Sequence, residues 1–362
     1  MSTFKLHRLG TIMEPEPGND MEIEGVLNPA AVRGPDGALY LFPRLVAKGN
    51  YSRIGIARVK FNEKGDPCQV ERLGFALEPE ADYEKRPDGG GGCEDPRVTF
   101  VETLSRYIMT YTAFSADGPR IALAQSKDLI KWERIGLAKF LPYKEIQFND
   151  VNNKDACIFP RAVLSMHNHL SMAMIHRPLF PGTRPEDIML KAINRKIRGH
   201  HKCIWISYCH VKMDPDKLHH LARFESNQPL AIPSAAWETL KIGAGTPPVL
   251  TQHGWLIVYH GVSDMRLSTN DTHELRYAAG VMILDKDHPE KILYRSSHPV
   301  LSPDLPEEQV GIIANVVFPT GIDRRDDIGQ PNRFDVYYGM ADNRIGVARL
   351  DMPDILPTDI EG

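Results

Sequence analysis

Apolar residues along this chain come in short stretches rather than in long periodic segments. Typical stretches are Ala38–Arg44, Tyr107–Phe114 and Trp255–Val262, each bounded by glycine, proline, asparagine or aspartate. No segment keeps the 3.6-residue apolar period of an amphipathic helix over more than about two or three turns. Short hydrophobic stretches between turn-forming residues are typical of β-strands. The pattern therefore predicts an all-β protein.

The predicted strands repeat as a unit. Each unit begins with a polar residue followed by a small residue or proline. It then continues through a hydrophobic strand, an aromatic-rich strand and a strand rich in alanine, glycine and serine. The units start near residues 28, 95, 155, 247 and 316, a spacing of roughly 60 to 90 residues that suits four strands and their loops. A five-bladed β-propeller spanning residues 1–362 as a single domain fits best, and a pair of β-sandwiches fits second best.

The polar residues at the strand starts are the first candidates for a functional site. They are Asn28, Asp95, Asp155, Thr246 and Asn315. The first strand of each propeller blade lines the central channel, so these side chains are expected to converge there. Asp95 follows a run of four glycines, which allow close backbone approach to a ligand. The alternative is that the five residues are ordinary turn caps scattered over the surface.

Composition and charge exclude several classes of function. The chain has 362 residues and a net charge of −4. Because this charge is negative, it does not predict a surface that binds nucleic acid. The first residues lack the apolar core of a signal peptide, and no apolar run reaches the about 18 residues of a membrane span. These features predict a cytoplasmic protein that binds neither nucleic acid nor membrane. They are also compatible with a homo-oligomer.

The cysteines and one long polar segment change this picture little. The five cysteines are odd in number and lack metal-type spacing, which indicates reduced thiols and no metal site. Cys203 and Cys209 lie on the same face of one predicted strand, and we interpret them as structural. Residues 181–202 are rich in cations and interrupt the repeat as an insertion. We expect this insertion to shape one rim of the channel or a subunit contact.

Candidate chemistry lies in carboxylates and cations near the strand ends. Asp95, Asp155 and Asp342 are the candidate acids. Cations and hydroxyls on adjacent units can cradle an oxyanion or a phosphate. These residues are Arg44, Arg97, Lys154, Arg177, Lys241, His260 and Tyr277. The chain lacks the nucleophile elbow, the P-loop and the His-Glu-x-x-His motif, so no nucleotide cofactor is expected.

Several motifs together resemble the β-mannoside phosphorylases of glycoside hydrolase family 130. The resemblance spans residues 25–350, with the motifs in the family's order. The motifs are Gly92–Arg97, Asn153–Ala156 with Phe159–Pro160, His176–Pro178, Lys241–Pro248, Gly254–Leu256 with Tyr259–Gly261, Leu284–Asp285 and Tyr338–Asp342. The resemblance implies a five-bladed propeller. It also implies cleavage of β-mannosides by inorganic phosphate with inversion, giving α-mannose 1-phosphate.

The resemblance also implies roles for individual residues. Asp95 resembles the family's catalytic acid, which acts through the 3-hydroxyl of the mannosyl unit. The mannosyl unit would be held by Asn28, Arg44, Asp155 and Asp342. Phosphate would be held by Arg177, Lys241, His260 and Tyr277. No second carboxylate base is needed because phosphate is itself an anionic nucleophile, whereas an inverting hydrolase needs one.

The resemblance leaves open both the type of activity and the exact substrate. Asn152 stands where many family members have an arginine for phosphate, so an inverting β-mannosidase on the same fold is the alternative. A non-catalytic glycan-binding propeller is a further alternative. The sequence predicts no cofactor besides the co-substrate phosphate. It leaves open the linkage, β-1,2 or β-1,4, and the acceptor sugar.

Overall fold

The computed structural model describes residues 4–143, 146–180, 202–210, 218–265 and 274–357. Within these ranges the regular secondary structure is almost entirely β-strand, which confirms the all-β prediction. The first strands are β1 (Leu6–Met13), β2 (Gly25–Arg33), β3 (Leu39–Ala47), β4 (Tyr51–Phe61), β5 (Pro67–Leu77), β6 (Gly91–Val101), β7 (Arg106–Ser115), β8 (Gly118–Ser126), β9 (Glu133–Leu137), β10 (Lys139–Phe140) and β11 (Asn152–Ile158). The remaining strands are β12 (Val163–Leu164), β13 (Leu170–Leu179), β14 (Ile204–Cys209), β15 (Arg223–Ala231), β16 (Lys241–Gly243), β17 (Val249–Thr251), β18 (Gly254–Asp264), β19 (Leu275–Leu284), β20 (Ile292–Arg295), β21 (Val317–Arg325), β22 (Gln330–Met340) and β23 (Arg344–Asp351).

Helical structure in the described residues is limited to single turns. The α-helix α1 covers Pro306–Gln309. Short 3₁₀ turns cover Asp82–Glu84, Glu102–Leu104, Leu218–Ala222, Ala236–Glu238 and Asp326–Ile328. No turn is long enough to bury an apolar helix face, so the packing is between sheets.

The strands form successive antiparallel arrays of mainly four strands. In chain order the arrays are β2-β3-β4-β5, β6-β7-β8-β9, β11-β13-β14-β15, β16-β18-β19-β20 and β21-β22-β23-β1. The first two arrays join through a short parallel pairing of β4 with β6. In the last array the N-terminal strand β1 pairs with β23, with Leu6 opposite Leu350. The first and last described strands are therefore neighbours in one sheet.

Buried apolar residues lie between successive arrays. Phe42 of the first array packs in one cluster with Met109 of the second. Similar clusters join the second array to the third, the third to the fourth and the fourth to the fifth. A further cluster joins Tyr337 of the fifth array to Leu41 of the first. Burial of apolar surface is the main force that holds these sheets together.

Buried glutamates stabilise the segments that lead into the arrays. Glu238 precedes the fourth array, accepts hydrogen bonds from the backbone N–H groups of Ser234 and Ala235, and is fully buried. Its carboxylate also accepts bonds from Tyr259 on β18, over 3.0 Å, and from Arg295 on β20, over 2.6 Å. The same glutamate, tyrosine and arginine arrangement recurs in the second and fifth arrays, as Glu84, Tyr111 and Arg134, and as Glu308, Tyr338 and Arg8. Sequence analysis missed this repeat because the three residues lie far apart along the chain.

The first strands of the arrays lie close to one another. Thr320 on β21 donates to the carbonyl of Pro29 on β2 over 2.8 Å. Thr99 on β6 donates to the carbonyl of Ile158 on β11 over 3.1 Å. These bonds place the first strand of the fifth array beside that of the first, and the first strand of the second array beside that of the third.

Candidate active site

Asn28, Asp95 and Asp155 occupy the same structural position in three arrays. Each has a left-handed backbone, with φ values of 47°, 46° and 57°. Each also lies at a register shift between the first and second strands of its array. A β-bulge leaves one residue unpaired and re-aims its side chain, and Asn and Asp tolerate the left-handed conformation better than other side chains. The repeated Asn or Asp therefore has a local structural cause.

Asp95 is buried against hydrogen-bond donors from neighbouring strands. Asn28 donates its Nδ2–H to Oδ1 of Asp95 over 2.9 Å, and Nη1 of Arg44 lies 3.4 Å from the same oxygen. Burial alone would raise the pKa of Asp95. The charges of Arg44, Lys154 and Arg97 together with the Asn28 bond outweigh it, so the pKa of Asp95 lies below its ordinary value.

Glu94 is a second buried carboxylate beside Asp95, and sequence analysis missed it. Its Oε1 accepts a bond from Nη2 of Arg44 over 2.8 Å, and the residue is 3% exposed. Burial raises the pKa of Glu94, and the neighbouring charge of Asp95 adds to that rise. The sequence signal was present in the Cys-Glu-Asp-Pro run. Strand alternation alone, however, would direct Glu94 and Asp95 to opposite faces.

Asp342 lies at the turn after β22, with its own left-handed backbone at φ 52°. The side chain is partly exposed. Burial raises the pKa of Asp342 to about 6, opposed by the charge of Arg44 and reinforced by that of Asp95. The structure therefore brings together three of the predicted sugar-binding residues, Asn28, Arg44 and Asp342, around Asp95.

Asp155 belongs to a separate, cationic part of the site. Its Oδ2 accepts a bond from Nε of Arg177 over 2.5 Å, and Nε2 of His260 lies 3.7 Å from the same oxygen. Burial would raise the pKa of Asp155, but the charges of Arg177 and Arg97 hold it far below its ordinary value. The resemblance grouped Asp155 with the sugar-binding residues, whereas its contacts here are with predicted phosphate-binding residues.

Lys241 and Tyr277 complete the cationic part. Lys241 donates its Nζ–H to the Tyr277 hydroxyl over 2.7 Å. Burial, together with the neighbouring charge of Arg177, lowers the pKa of Lys241 to about 8. Burial lowers the pKa of His260 to about 3, so the imidazole is neutral at physiological pH. Gly243 allows this packing, because a Cβ atom there would lie 2.4 Å from both Asp155 Oδ2 and His260 Cε1.

Lys154 lies between the acidic and cationic parts. Its charge acts on Asp95 and Asp342 on one side, and on Asp155 and Lys241 on the other. It stands opposite Arg177 in the pairing of β11 with β13. Sequence analysis noted Lys154 among the cations without assigning it to the site. Its central location follows from the array geometry, which the sequence does not display.

Two buried side chains connect the strands and loops that carry the site residues. Arg97 donates to the carbonyls of Asp95, over 2.8 Å, and Gly245, over 2.9 Å. It therefore links the second array to the fourth. His176 contacts Asn153 over 3.1 Å and Ser207 over 2.7 Å, which fixes β11 next to the strand that carries Arg177. Burial lowers the pKa of His176 to about 3.

The side chains of other predicted residues contact neither part of the site in the described residues. Thr246 is fully buried and accepts a bond from the Val258 backbone N–H, which is a structural role. The Asn315 side chain lies 3.5 Å from Glu274. Asn152 is exposed and accepts a bond from Arg120 over 3.1 Å. Almost all of the insertion 181–202 lies outside the described residues, so its role stays a prediction.

Several buried polar atoms in the site have no partner among the described residues. They are Oδ1 of Asn28, Oδ1 of Asp155 and both ring nitrogens of His260. Such atoms are costly unless a ligand or water satisfies them. The described residues include no group of three His, Cys, Asp or Glu side chains that could hold a metal ion. The site therefore suits a neutral polar ligand at the acidic part and an anion at the cationic part.

Comparison with known sequences gives matches over nearly the whole chain. A family model described as beta-1,4-mannooligosaccharide phosphorylase matches residues 11–358. A 1,2-beta-oligomannan phosphorylase of Thermoanaerobacter sp. is 31% identical over 361 residues, covering 97% of this chain and 99% of that protein. A beta-1,4-mannooligosaccharide phosphorylase of Ruminococcus albus is 29% identical over 262 residues, covering 72% of this chain and 63% of that protein.

Comparison with solved structures gives the same fold. The beta-1,2-mannobiose phosphorylase of Listeria innocua, in complex with beta-1,2-mannobiose, matches with a TM-score of 0.68 and 23% identity, covering 96% of this chain and 97% of that one. A second match has a TM-score of 0.70 and 20% identity, covering 99% of this chain and 96% of that one. It was solved in work on GH130 hydrolases that target beta-1,2 mannosidic linkages in Candida mannan. Among the residues described here, no helix has the length and apolarity that a membrane crossing needs.

Proposed function

The chain belongs to glycoside hydrolase family 130, and on that premise we propose that it cleaves β-linked mannooligosaccharides with inorganic phosphate. The reaction inverts the anomeric carbon and releases α-mannose 1-phosphate. The relatives matched over nearly the whole chain are named for 1,2-linked substrates. We therefore propose β-1,2-mannooligosaccharides as the preferred substrates, with β-1,4-linked ones as the comparison.

One observation carries the choice of phosphorolysis over hydrolysis: the cationic part holds Arg177, Lys241, His260 and Tyr277 around a single carboxylate, Asp155. Charge-assisted hydrogen bonds from several such donors are what binds a phosphate. Asp155 itself is tied to Arg177, and its lowered pKa makes it a poor base. A hydrolase needs a base with a pKa near the working pH to activate water.

The acidic part supplies the rest of the chemistry. We propose that Asn28, Arg44 and Asp342 hold the mannosyl unit beside Asp95, and that Asp95 supplies the proton to the departing sugar oxygen through the 3-hydroxyl of that unit. Support comes from the contacts of Asn28 and Arg44 with Asp95. In addition, Oδ1 of Asn28 has no partner among the described residues and can accept a hydrogen bond from a sugar hydroxyl. Phosphate attacks from the opposite side, so inversion needs no covalent enzyme intermediate.

We propose that the antiparallel arrays are the blades of a five-bladed propeller and that the whole chain is one domain. The apolar clusters between successive arrays, including the one that joins the fifth array to the first, support a closed ring. We further propose that the reaction needs no metal or organic cofactor. Exhaustive treatment with EDTA is expected to leave turnover unchanged, and loss of turnover that one divalent ion restores would refute that proposal. The cytoplasmic location and a homo-oligomeric state stay predictions from the sequence.

The function is tested by incubating the enzyme with β-1,2- and β-1,4-mannobiose, each with and without phosphate. We expect α-mannose 1-phosphate and mannose in stoichiometric amounts, formed only with phosphate. Mannose formed at equal rates without phosphate would instead establish the hydrolase. Absence of turnover of any β-mannoside, with binding retained, would favour a glycan-binding protein.

A further inference from the structure

A cavity of about 320 Å³ lies at the ends of the first strands that point away from Asp95. It is lined by segments of all five arrays. These segments are residues 31–33, 98–100 with Glu102, 160–161, 247–250 and 322–324. Successive residues of a strand such as β6 are about 3.3 Å apart, so Phe100 lies on the order of 15 Å from Asp95. The volume falls within the range of ligand pockets, roughly 300–1,000 Å³.

A buried layer separates this cavity from the candidate active site. Arg97 is 1% exposed and donates to the carbonyls of Asp95 and Gly245. One turn of the strand further on, Thr99 is also buried and donates to the carbonyl of Ile158 over 3.1 Å. These bonds join first strands to their neighbours between the two ends. The cavity is therefore a site of its own and not an extension of the candidate active site.

An exposed aromatic ring forms one wall of the cavity. Phe100 is 40% exposed, and its ring lies against that of Tyr107, with the centroids 4.9 Å apart. The Tyr107 hydroxyl donates to the carbonyl of Arg33 over 3.2 Å, which fixes this pair of rings. Pro247 and Pro248 add further apolar surface. Rings that are already fixed lose little conformational entropy on binding, so this wall suits the apolar face of a sugar ring.

The rim of the cavity is charged but balanced, because each arginine that lines it pairs with a carboxylate. The pairs are Arg33 with Asp323 over 3.0 Å, Arg161 with Glu102 over 3.3 Å, and Arg324 with Asp326 over 2.6 Å. The side chains of Arg161 and Glu102 are 50% and 55% exposed, so both keep hydrogen-bonding capacity for a ligand. Adjacent donors and acceptors without net charge match the hydroxyl groups of a neutral sugar better than they match an ion.

We propose that this cavity is a second binding site for β-linked mannooligosaccharides, separate from the site of cleavage. The ligand class, a neutral oligosaccharide, follows from the apolar wall and the balanced rim. The choice of a mannooligosaccharide rests on the proposed function. An oligosaccharide held in the cavity stays close to the enzyme between turnovers, which raises its effective concentration at the candidate active site. No bond is made or broken in the cavity.

Isothermal titration calorimetry with β-1,2-mannotetraose tests this site. The parent protein is Asp95→Asn, so that the ligand is not consumed. Adding Phe100→Ala or Arg161→Ala to this parent is expected to weaken binding at the cavity by roughly tenfold each, because a ring contact or a charge-assisted hydrogen bond is lost. The matched control is Phe75→Ala, since Phe75 is 41% exposed but lies on β5, outside the cavity. Identical isotherms for the parent and all three variants would overturn the proposal.

Steady-state assays show whether the cavity variants are folded. Introduced into the wild type, Phe100→Ala and Arg161→Ala should keep kcat/KM for β-1,2-mannobiose within about twofold, because surface substitutions remote from the reacting atoms have small effects. Turnover that does not need phosphate would refute the proposed phosphorolysis and leave the calorimetric result standing. Self-association of the wild type in sedimentation that Phe100→Ala abolishes would show that a second copy of the chain covers the cavity, and would overturn the proposal.

Discussion

The Nδ2–H of Asn28 donates to Oδ1 of Asp95 over 2.9 Å, although 67 positions separate the two residues. Both residues have left-handed backbones at equivalent β-bulges of neighbouring arrays. The bond therefore connects two copies of one structural feature, and together with the charges of Arg44, Lys154 and Arg97 it lowers the pKa of Asp95. The amide oxygen of Asn28, Oδ1, has no partner in the described residues and is available to accept a hydrogen bond from a ligand.

Replacing Asn28 with alanine is expected to lower kcat/KM by roughly 10–100-fold. The reason is that a hydrogen bond to a charged acceptor contributes about 1.5–3 kcal/mol. The matched control is Asn168→Ala, since Asn168 has a similar left-handed backbone with φ 58° but lies exposed in the turn before β13. Both variants carry the same backbone strain. Equal effects on kcat/KM would show that strain, and not the bond to Asp95, causes the loss.

Three of the five strand-start residues share one local conformation at a β-bulge, and the sequence shows them because the bulge imposes a local requirement. Asn28, Asp95 and Asp155 are visible as polar residues before Pro or Ala at the head of each repeat. The contacts of each residue depend on which arrays are neighbours in the fold. The sequence around the residue does not show that arrangement. Asp155 pairs with Arg177. The central location of Lys154 likewise appears only once β11 and β13 are paired.

Arg177→Ala should damage both folding and phosphate binding, because it leaves the buried Asp155 carboxylate without its closest cation. Breaking a buried ion pair typically costs about 3–5 kcal/mol of unfolding free energy. The double variant Arg177→Met/Asp155→Asn removes both charges, so it should regain part of that stability in urea denaturation. Its KM for phosphate should stay raised. Recovery of the wild-type KM in the double variant would show that Arg177 does not bind phosphate.

Glu238→Gln should destabilise the protein by about 3–5 kcal/mol, because Arg295 loses a buried partner. The expected result is a lower urea midpoint with an unchanged m-value. Glu71→Gln is the control. Glu71 is exposed and lies 3.8 Å from Lys60, and surface pairs contribute only about 0–1 kcal/mol. Equal midpoints for the two variants would show that the buried glutamate is dispensable.

The burial of these glutamates was not predicted from the sequence. A glutamate in a polar loop is normally read as solvated. Glu238 is buried only because Tyr259 and Arg295, from two different strands of the following array, converge on it. The apolar pattern predicts the strands, but it carries no information about which polar loop residues return to the sheet.

Lys241 should make phosphate binding depend on pH. Its pKa is lowered to about 8, so its charge is present below pH 8 and is lost as pH rises through that value. The KM for phosphate is therefore expected to rise above pH 8, by up to roughly 10–100-fold for one lost charge-assisted bond. Lys241→Met should have a high KM across the range with no such rise. The exposed Lys127→Met variant should retain the wild-type profile, and a rise that survives in Lys241→Met would assign the titration to another group.

Asp342→Asn should stabilise the folded protein at alkaline pH, independently of any effect on activity. Because the pKa of Asp342 is raised to about 6 in the folded state, the native protein binds this proton more tightly than the unfolded chain does. Its contribution to stability is complete below pH 4 and is lost as pH rises through 6. At pH 8 the wild type therefore carries a penalty that the neutral asparagine avoids, on the order of 1–3 kcal/mol after allowance for partial exposure.

Thermal or urea unfolding at pH 4 and pH 8 measures this difference directly. The gain from Asp342→Asn should be present at pH 8 and absent at pH 4, since the wild-type carboxyl is then already protonated. Asp88→Asn is the opposite control, because the pKa of the exposed Asp88 is lowered to about 2 by Arg86, so this variant should gain nothing at pH 8. Asparagine tolerates the left-handed backbone at 342, so strain does not confuse the comparison. An Asp342→Asn variant that is no more stable than wild type at pH 8 would show that this carboxyl is ionised there without cost.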